Sequence, residues 1–265
     1  MGSNGLRRTA LGLMGLGLAS LLLAGTAGAA EVKVMTSGGF AAPYKALAPE
    51  FEQATHNHLE IAWGPSMGTT HDAIPVRLAR GEPVDVLIMV ASALDDLVKQ
   101  GKVVPASRVD IAKSYIGMAV KAGAPKPDIS TVDALKRTLL AAKSIAYSDS
   151  ASGVYLSTVG FKTLGIADEI AGKSRMIPAT PVGEIVAKGE AELGFQQLSE
   201  LMPVPGIELV GPLPPGIQLV TPYAAGISVD SKEPAAAKAF IAFLTSPGVA
   251  PTVKGFGLDP VTAAP

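Results

Sequence analysis

Short apolar runs alternate with amphipathic stretches along most of the chain. The run VDVLIMV at 84–90 is continuously apolar, which is typical of a parallel strand covered on both faces. Stretches in which apolar residues recur every three to four positions predict helices between such runs. The first set of predicted elements is strand 32–36, helix 40–55, strand 59–63, helix 72–80, strand 84–90 and helix 92–100. This alternation predicts a parallel sheet with helices on both faces.

The same alternation restarts after an extended segment at 114–123. The second set is helix 131–142, strand 144–147, helix 155–164, strand 175–177, helix 183–188 and strand 192–195, followed by two short strands in a Pro/Gly-rich passage and two helices broken near Pro247. Two α/β sets joined by extended segments at about 115–121 and 219–228 predict two lobes between which the chain crosses twice.

The first 29 residues have the three parts of a secretory signal peptide. Arg7 and Arg8 form a positive start, the apolar stretch 10–25 follows, and Ala27-Gly28-Ala29 is a small-residue cleavage site. We therefore expect cleavage near Ala29 and a periplasmic mature protein. The pair of arginines leaves both general and twin-arginine export open.

Composition excludes several functions for this chain of 265 residues. Its formal net charge of −1 lacks the basic excess that nucleic-acid binding needs. The absence of cysteine excludes disulfides and thiolate chemistry. The pair His56 and His58 has the spacing of metal ligands, but no third ligand is near in the sequence, so a solvated turn is the better interpretation. We predict no metal and no cofactor.

The segment Gly64-Pro65-Ser66-Met67-Gly68 matches the G-x-S-x-G elbow of serine hydrolases, between a predicted strand and a predicted helix. In those hydrolases an acid and then a histidine follow the serine along the chain. The last histidine here is His71, and no acid stands between it and Ser66. A secreted serine hydrolase is therefore a remote alternative, and we expect Ser66 to donate a hydrogen bond instead.

Four strand-to-helix loops share a hydroxyl- and glycine-rich composition: 36–40, 64–70, 148–155 and 179–183. Loops of this kind line the ligand crevice of open α/β sheets, and the helix that follows presents unpaired N–H groups. Each predicted lobe contributes two of them. Neutral donors that converge from two lobes suit a small, desolvated anion.

Several segments together resemble the periplasmic molybdate-binding protein family. The segment ARGEPVDVLIMVASALDDLVKQGKV at 79–103 is similar to the part of that family in which a helix ends in Gly-x-Pro-x-Asp before a strand. Further similar segments are SASGVYLSTVGFKTLG at 150–165, VGEIVAKGEAELGF at 182–195 and SKEPAAAKAFIAFLTSPGVAPTVKGFG at 231–257. The resemblance covers nearly all of the mature chain, in order.

The resemblance implies two Rossmann-like α/β lobes on a two-stranded hinge, the type II periplasmic binding protein fold. It implies a solute-binding protein of an ABC importer that closes on a small anion and delivers it to a membrane permease. We therefore expect lobe 1 to comprise 30–117 and 225–265, and lobe 2 to comprise 118–224. We also expect a monomer that is not an enzyme and has no catalytic residue.

The family's ligand positions carry over residue by residue. Gly39 stands at the place of the first serine, with Ser37 two residues earlier, and Gln197 stands at the place of the family's tyrosine. The residues expected to contact the ligand are Ser37, Gly38, Gly39, Ser66, Met67, Gly68, Thr69, Ser152, Gly153, Val182, Gln196 and Gln197. A molybdate- or tungstate-type oxyanion is the first expectation, and a small organic carboxylate on the same scaffold is the alternative.

Overall fold

The computed structural model describes residue 1 and residues 28–262, so most of the predicted signal peptide lies outside the described residues. The strands are β1 (Glu31–Thr36), β2 (His58–Trp63), β3 (Val86–Val90), β4 (Val109–Lys121), β5 (Ile145–Ser148), β6 (Ser174–Ile177), β7 (Leu193–Gln197), β8 (Ile207–Pro212), β9 (Val220–Ile227) and β10 (Asp259–Pro260). The α-helices are α1 (Ala41–Thr55), α2 (Ile74–Ala79), α3 (Ala91–Lys99), α4 (Val132–Ala141), α5 (Ala151–Tyr155), α6 (Phe161–Thr163), α7 (Ala167–Ile170), α8 (Val182–Ala187), α9 (Leu198–Leu201), α10 (Pro234–Leu244) and α11 (Ala250–Gly255).

The strands form one mixed sheet in the order β2-β1-β3-β9-β4-β7-β5-β6, with β8 and β10 also paired to β4. β1 pairs in parallel with β2 and β3, and β5 pairs in parallel with β6 and β7. β9 lies antiparallel between β3 and β4. The predicted α/β class is confirmed, with two parallel sets held together by antiparallel strands.

β4 belongs to both halves of the sheet. It pairs with β9 as far as Tyr115 and with β7 from Ile116 onward. The sequence predicted this strand to begin at 114, but it begins at Val109, because Asp110 and Lys113 interrupt the apolar pattern without interrupting the pairing. The lobe boundaries at 117/118 and 224/225 stay predictions, and the change of pairing partners lies next to the first of them.

Each half of the sheet has its own hydrophobic core. In the first half, Phe240 contacts Tyr44 and Phe51, with ring centroids 6.0 and 4.9 Å apart. In the second half, Phe195 and Ile145 are fully buried in a separate cluster. Burial of large aromatic side chains supplies much of the stability of such cores.

Asp85 is a buried carboxylate that joins distant parts of the chain. It accepts hydrogen bonds from the backbone N–H of Lys33 at 2.8 Å, from the Ser231 hydroxyl at 2.7 Å, and from the N–H groups of Lys232 and Glu233 at 2.7 and 3.1 Å. It is the aspartate of the Gly81-x-Pro83-x-Asp85 segment. This carboxylate therefore holds β1 and the start of α10 against β3.

Three helices differ from the sequence prediction. The helix predicted to start at 155 starts at Ala151 and runs through a π-helical turn at Leu156–Gly160 into α6, since small residues at 151–153 pack without breaking the helix. The short helices α7 and α9 were not predicted, because four residues are too few to show a periodic pattern.

Within the described residues, no single helix has the length and apolarity to cross a membrane; only α10 and 247–255 taken together do, and they are bent by 54°.

Candidate functional site

A cavity of about 240 Å³ opens where loops from both halves of the sheet meet. The loops follow β1, β2, β5 and β6, so the cavity lies at the carboxyl ends of parallel strands, where such sheets bind ligands. Its lining residues are Ser37, Gly38, Gly39, Trp63, Gly64, Pro65, Ser66, Asp72, Val90, Asp149, Ser150, Ala151, Ala179, Thr180, Pro181, Gln196, Glu200 and Tyr223.

The loop after β1 is shaped by two large side chains that press on its glycines. A side chain at Gly38 would collide with the carboxyl of Glu200, and one at Gly39 would collide with the hydroxyl of Tyr223. Ser37, just before them, is 4% exposed and its hydroxyl has no hydrogen-bond partner. The Gly-Gly pair therefore lets a carboxyl and a phenol approach the backbone on one side of the cavity.

The Ser66 side chain is held in place by a hydrogen bond and is not set up as a nucleophile. Its Oγ accepts a hydrogen bond from the backbone N–H of Val90 at 2.9 Å, and the residue is 2% exposed. Because the oxygen is the acceptor, its proton is free to be donated to a ligand. No histidine, lysine or arginine is among the residues that line the described cavity, so Ser66 has no imidazole or amine base beside it there.

The second half of the sheet supplies polar loops on the opposite side. The Ser148 hydroxyl contacts those of Ser150 and Ser152 at 3.2 and 2.9 Å. Asp149 accepts a hydrogen bond from the N–H of Ala179 at 3.1 Å. Ala179 has a φ of 53°, a left-handed conformation that is uncommon for alanine. Asp149 thus holds a strained loop at the cavity wall, as is frequent at binding sites.

Glu200 lies on α9, immediately after β7. The neighbouring Ser199 hydroxyl donates a hydrogen bond to the carbonyl of Gly39 at 2.7 Å, which fastens α9 to the glycine loop. Desolvation by burial raises the pKa of Glu200 to about 7, and the charge of Asp149 adds to this, although Gln196 and the Gln197 N–H partly oppose it. The Oε2 atom has no hydrogen-bond partner. A carboxyl in this state exchanges a proton near neutral pH.

Tyr223 lies on β9 and is 3% exposed. Burial raises the pKa of its hydroxyl well above the usual value, and the charge of Glu200 raises it further, while the nearby Ser37 side chain partly opposes the shift. The Ser37 hydroxyl forms no hydrogen bond with a described protein group, so it lies near Tyr223 without being hydrogen-bonded to it. The phenol is therefore neutral throughout the physiological range.

The residues expected from the sequence divide between the cavity wall and its support. Ser37, Gly38, Gly39, Ser66 and Gln196 line the cavity, whereas Met67, Gly68, Thr69, Ser152, Gly153, Val182 and Gln197 do not. The N–H of Val182 donates to the Gln196 side chain at 2.9 Å, and the Gln197 amide donates to the Thr221 hydroxyl at 3.2 Å. The first bond ties the start of α8 to β7, and the second ties β7 to β9.

Sequence reasoning missed Trp63, Asp72, Asp149, Glu200 and Tyr223 as lining residues. Asp149 stands inside the loop 148–155, which the sequence predicted to line the ligand crevice, so its charge was a usable signal. Glu200 and Tyr223 gave no local signal, because one follows the predicted strand by several residues and the other lies in a strand read as a connection. Among the described residues, no group of three or more His, Cys, Asp or Glu side chains is placed to hold a metal ion.

Replacing Gly39 by alanine tests the packing of the glycine loop. The new methyl group would collide with the Tyr223 hydroxyl, which the central strand β9 holds in place. We expect a loss of about 1–3 kcal/mol in the free energy of unfolding, the usual cost of overpacking. Thermal unfolding measures it. The matched control is Gly172→Ala, where a methyl group meets no atom within 4 Å, and equal stability of the two variants would contradict the prediction.

Comparison with known proteins places the chain in a family. A model of the bacterial extracellular solute-binding protein family matches residues 32–259, and the chain belongs to that family. Members of the family bind small anions and work with the permeases of ABC transporters. The predicted relation to molybdate-binding proteins is confirmed at this level, and the family points to a periplasmic location.

Among individual proteins, an aconitate isomerase from Pseudomonas sp is 50% identical over 255 residues, covering 94% of this chain and 97% of the relative. The molybdate-binding protein ModA from Azotobacter vinelandii is 27% identical over 252 residues, covering 89% and 92%. The solved periplasmic molybdate-binding protein of Azotobacter vinelandii superposes with a TM-score of 0.66 at 23% identity, covering 88% of this chain and 99% of that one. The superposition supports the type II binding-protein fold.

The prediction that the chain is not an enzyme is wrong, since a relative 50% identical along almost its whole length is an isomerase by name. The sequence lacks the acid and then histidine that follow the serine in serine hydrolases, so catalysis by Ser66 was not expected. The carboxyl with a pKa near neutrality lies instead on α9, which the sequence did not reveal as a helix.

Proposed function

We propose that the chain is an exported isomerase that interconverts cis- and trans-aconitate inside a cavity inherited from solute-binding proteins. The observation that carries the proposal is Glu200, an enclosed carboxyl with a pKa of about 7 that lines the cavity beside Gly38. The relative named aconitate isomerase supports the substrate class. Nothing in the reaction calls for a cofactor, because substrate and product have the same atoms and oxidation state.

The chemistry needs one group that removes a proton and returns it. Aconitate has a CH₂ group next to one carboxylate and to a carbon–carbon double bond. The Glu200 carboxylate takes a proton from that CH₂, and the electron pair of the broken C–H bond delocalises over the three carbons and the adjoining carboxylate. The protonated Glu200 then delivers the proton to the far carbon of the three. The double bond has moved by one position, its geometry is newly set, and Glu200 is again a carboxylate.

Neutral donors on both sides of the cavity account for binding of carboxylates. The Ser66 proton is free, and Ser37 has no partner, so both hydroxyls are available as donors. The helical segments that begin at Gly38 and Ala151 run on through Thr55 and Thr163, and their first N–H groups lack partners within the helix. A polycarboxylate thus meets donors from each half of the sheet.

The contact residues predicted from the sequence have three roles in this proposal. Ser37, Gly38, Gly39, Ser66 and Gln196 are the proposed direct contacts, because they line the cavity. Ser152, Val182 and Gln197 are proposed to act indirectly, through their hydrogen bonds to Ser148, Gln196 and Thr221. The loop 67–69 is proposed to meet only the outer end of a ligand.

Capture of a molybdate- or tungstate-type oxyanion for an ABC permease is the second candidate. The molybdate-binding relative at 27% identity favours it. Against it, Tyr223 occupies the space beside Gly39 where the family's first serine would extend, and Glu200 adds an acid to the wall. A binder of an organic carboxylate without turnover is the third outcome that an assay separates.

The test uses the chain from residue 30 onward, mixed separately with cis- and trans-aconitate. We expect proton NMR to show each isomer converting to the same equilibrium mixture. In parallel, the fluorescence of Trp63, which lines the cavity, is titrated with both isomers, molybdate and tungstate. Conversion supports the isomerase. A saturable response to molybdate without conversion would replace it by the oxyanion carrier, and a response to aconitate without conversion would leave a carboxylate binder.

A further inference from the structure

Proton removal from aconitate places extra negative charge on one carboxylate of the substrate. The removed proton is then on Glu200, so it does not neutralise this charge. The carboxylate next to the reacting carbon acquires enolate character and is more basic than before. Hydrogen-bond donors aimed at it lower the barrier, provided that they keep their own protons.

Tyr223 meets these requirements by position. Its hydroxyl presses on Gly39 in the same loop in which the Glu200 carboxyl presses on Gly38. The neighbouring residues Gly38 and Gly39 thus bring the Glu200 carboxyl and the Tyr223 phenol close together. In the substrate, the reacting carbon and its attached carboxylate are also adjacent, so one protein group can face each of them. Ser37 completes the arrangement with a buried hydroxyl that has no protein partner.

We propose that the Tyr223 hydroxyl, with that of Ser37 beside it, is the donor that stabilises the charge developing on the substrate carboxylate when Glu200 removes the proton. The proposal rests on the isomerase function proposed above and assigns a charge-stabilising residue within it.

Two further observations favour donation over proton transfer by the phenol. Burial and the Glu200 charge hold the pKa of Tyr223 above its usual value, so it keeps its proton. The backbone that carries the ring is also fixed, because β9 pairs Tyr223 with Val90 on one side and with Ala112 on the other, and the side chain is buried. A donor that is fixed before the reaction needs no reorganisation when charge appears.

The test compares Tyr223→Phe with wild type in D₂O, following isomerisation and hydrogen–deuterium exchange of the substrate by NMR. We expect kcat for both processes to fall together by about 10²–10³-fold, with a small change in KM. Ser37→Ala should lower the same step less. The matched control is Tyr44→Phe, which removes the hydroxyl of another buried tyrosine, one that lies outside the cavity, and should leave kcat unchanged.

Each other outcome overturns a defined statement. Exchange that persists in Tyr223→Phe while isomerisation stops would make the phenol a proton donor to carbon and reject the proposed role. Unchanged kcat in Tyr223→Phe, with an active wild type, would reject the role and leave the isomerase intact. A wild type without turnover would reject the isomerase and this role with it. If thermal unfolding shows Tyr223→Phe to be unfolded, Ser37→Ala decides, and full activity in it rejects the pair of donors.

Discussion

Glu200→Gln is expected to lose isomerisation by about 10²–10⁴-fold in kcat, the range that general acid–base groups contribute. Glutamine keeps the size of the side chain beside Gly38 but cannot take a proton from carbon. Exchange of substrate hydrogen with D₂O should fall equally, because removal of the proton precedes every later step. NMR of both isomers measures the two rates in one sample.

The pH profile gives an independent check on the same group. The carboxylate is the active form, so kcat/KM of the wild type should rise with pH through about 7, the raised pKa of Glu200. Glu169→Gln, on the exposed face of α7, is the matched control and should keep both rate and profile. A Glu200→Gln variant with wild-type turnover would remove Glu200 from the mechanism.

The same substitution should stabilise the protein at alkaline pH. Burial raises the pKa of Glu200 in the folded chain above its unfolded value, so the folded state binds the proton more tightly. The contribution of Glu200 to the free energy of unfolding is full below about pH 4.5 and is lost as the pH rises toward 7. Glutamine is neutral throughout and avoids that loss. We expect Glu200→Gln to melt a few degrees above wild type at pH 8 and near it at pH 4.5.

Asp85→Ala is expected to lower the free energy of unfolding by about 3–5 kcal/mol, because it strands several buried donors that share one carboxylate. The N–H groups of Lys33, Lys232 and Glu233 lose their acceptor together. For a chain of this length, such a loss lowers the melting temperature by roughly 10 °C. Differential scanning calorimetry measures both quantities.

The control for Asp85 is Asp230→Ala, an exposed aspartate in the neighbouring turn. Its removal should shift the melting temperature by only a degree or two. Although burial alone would raise the pKa of Asp85, hydrogen bonds from Lys33, Ser231 and the N–H groups of 232 and 233 lower it. Its stabilisation is therefore full above about pH 4 and is lost as the pH falls through the depressed pKa. A variant as stable as wild type at pH 7 would refute this role.

The fold was largely readable from the sequence because each half repeats a strong local pattern. A buried strand can be predicted from a continuous apolar run such as 84–90, and a helix such as α10 from the spacing of its apolar residues. The position of β9 in the centre of the sheet was not readable, since strand order is decided by contacts between residues far apart in the chain. The length of β4 was missed for the same reason, as pairing holds its polar first half in the strand.

The site was readable only where its chemistry lies in loops. Ser37, Gly39 and Ser66 stood out because hydroxyls and glycines cluster between a strand and a helix. Glu200 and Tyr223 were hidden because burial, and not residue type, gives them their properties. A glutamate on an exposed helix is the same residue type, and it is desolvation by burial, with the charge of Asp149, that raises the pKa of Glu200.

The central place of β9 also sets the order of events when the chain folds. The strand β9, which pairs with both β3 and β4, begins only at Val220. The Asp85 carboxylate likewise accepts a hydrogen bond from Ser231, which is 146 residues further along the chain. Contacts between residues so far apart in the sequence make folding slow, because the entropy cost of closing a long loop comes before the contacts stabilise the chain. The first half of the sheet therefore stays incomplete until most of the chain has emerged from the ribosome. A delay of this kind leaves the first half of the chain without its central strand for most of the time that synthesis takes.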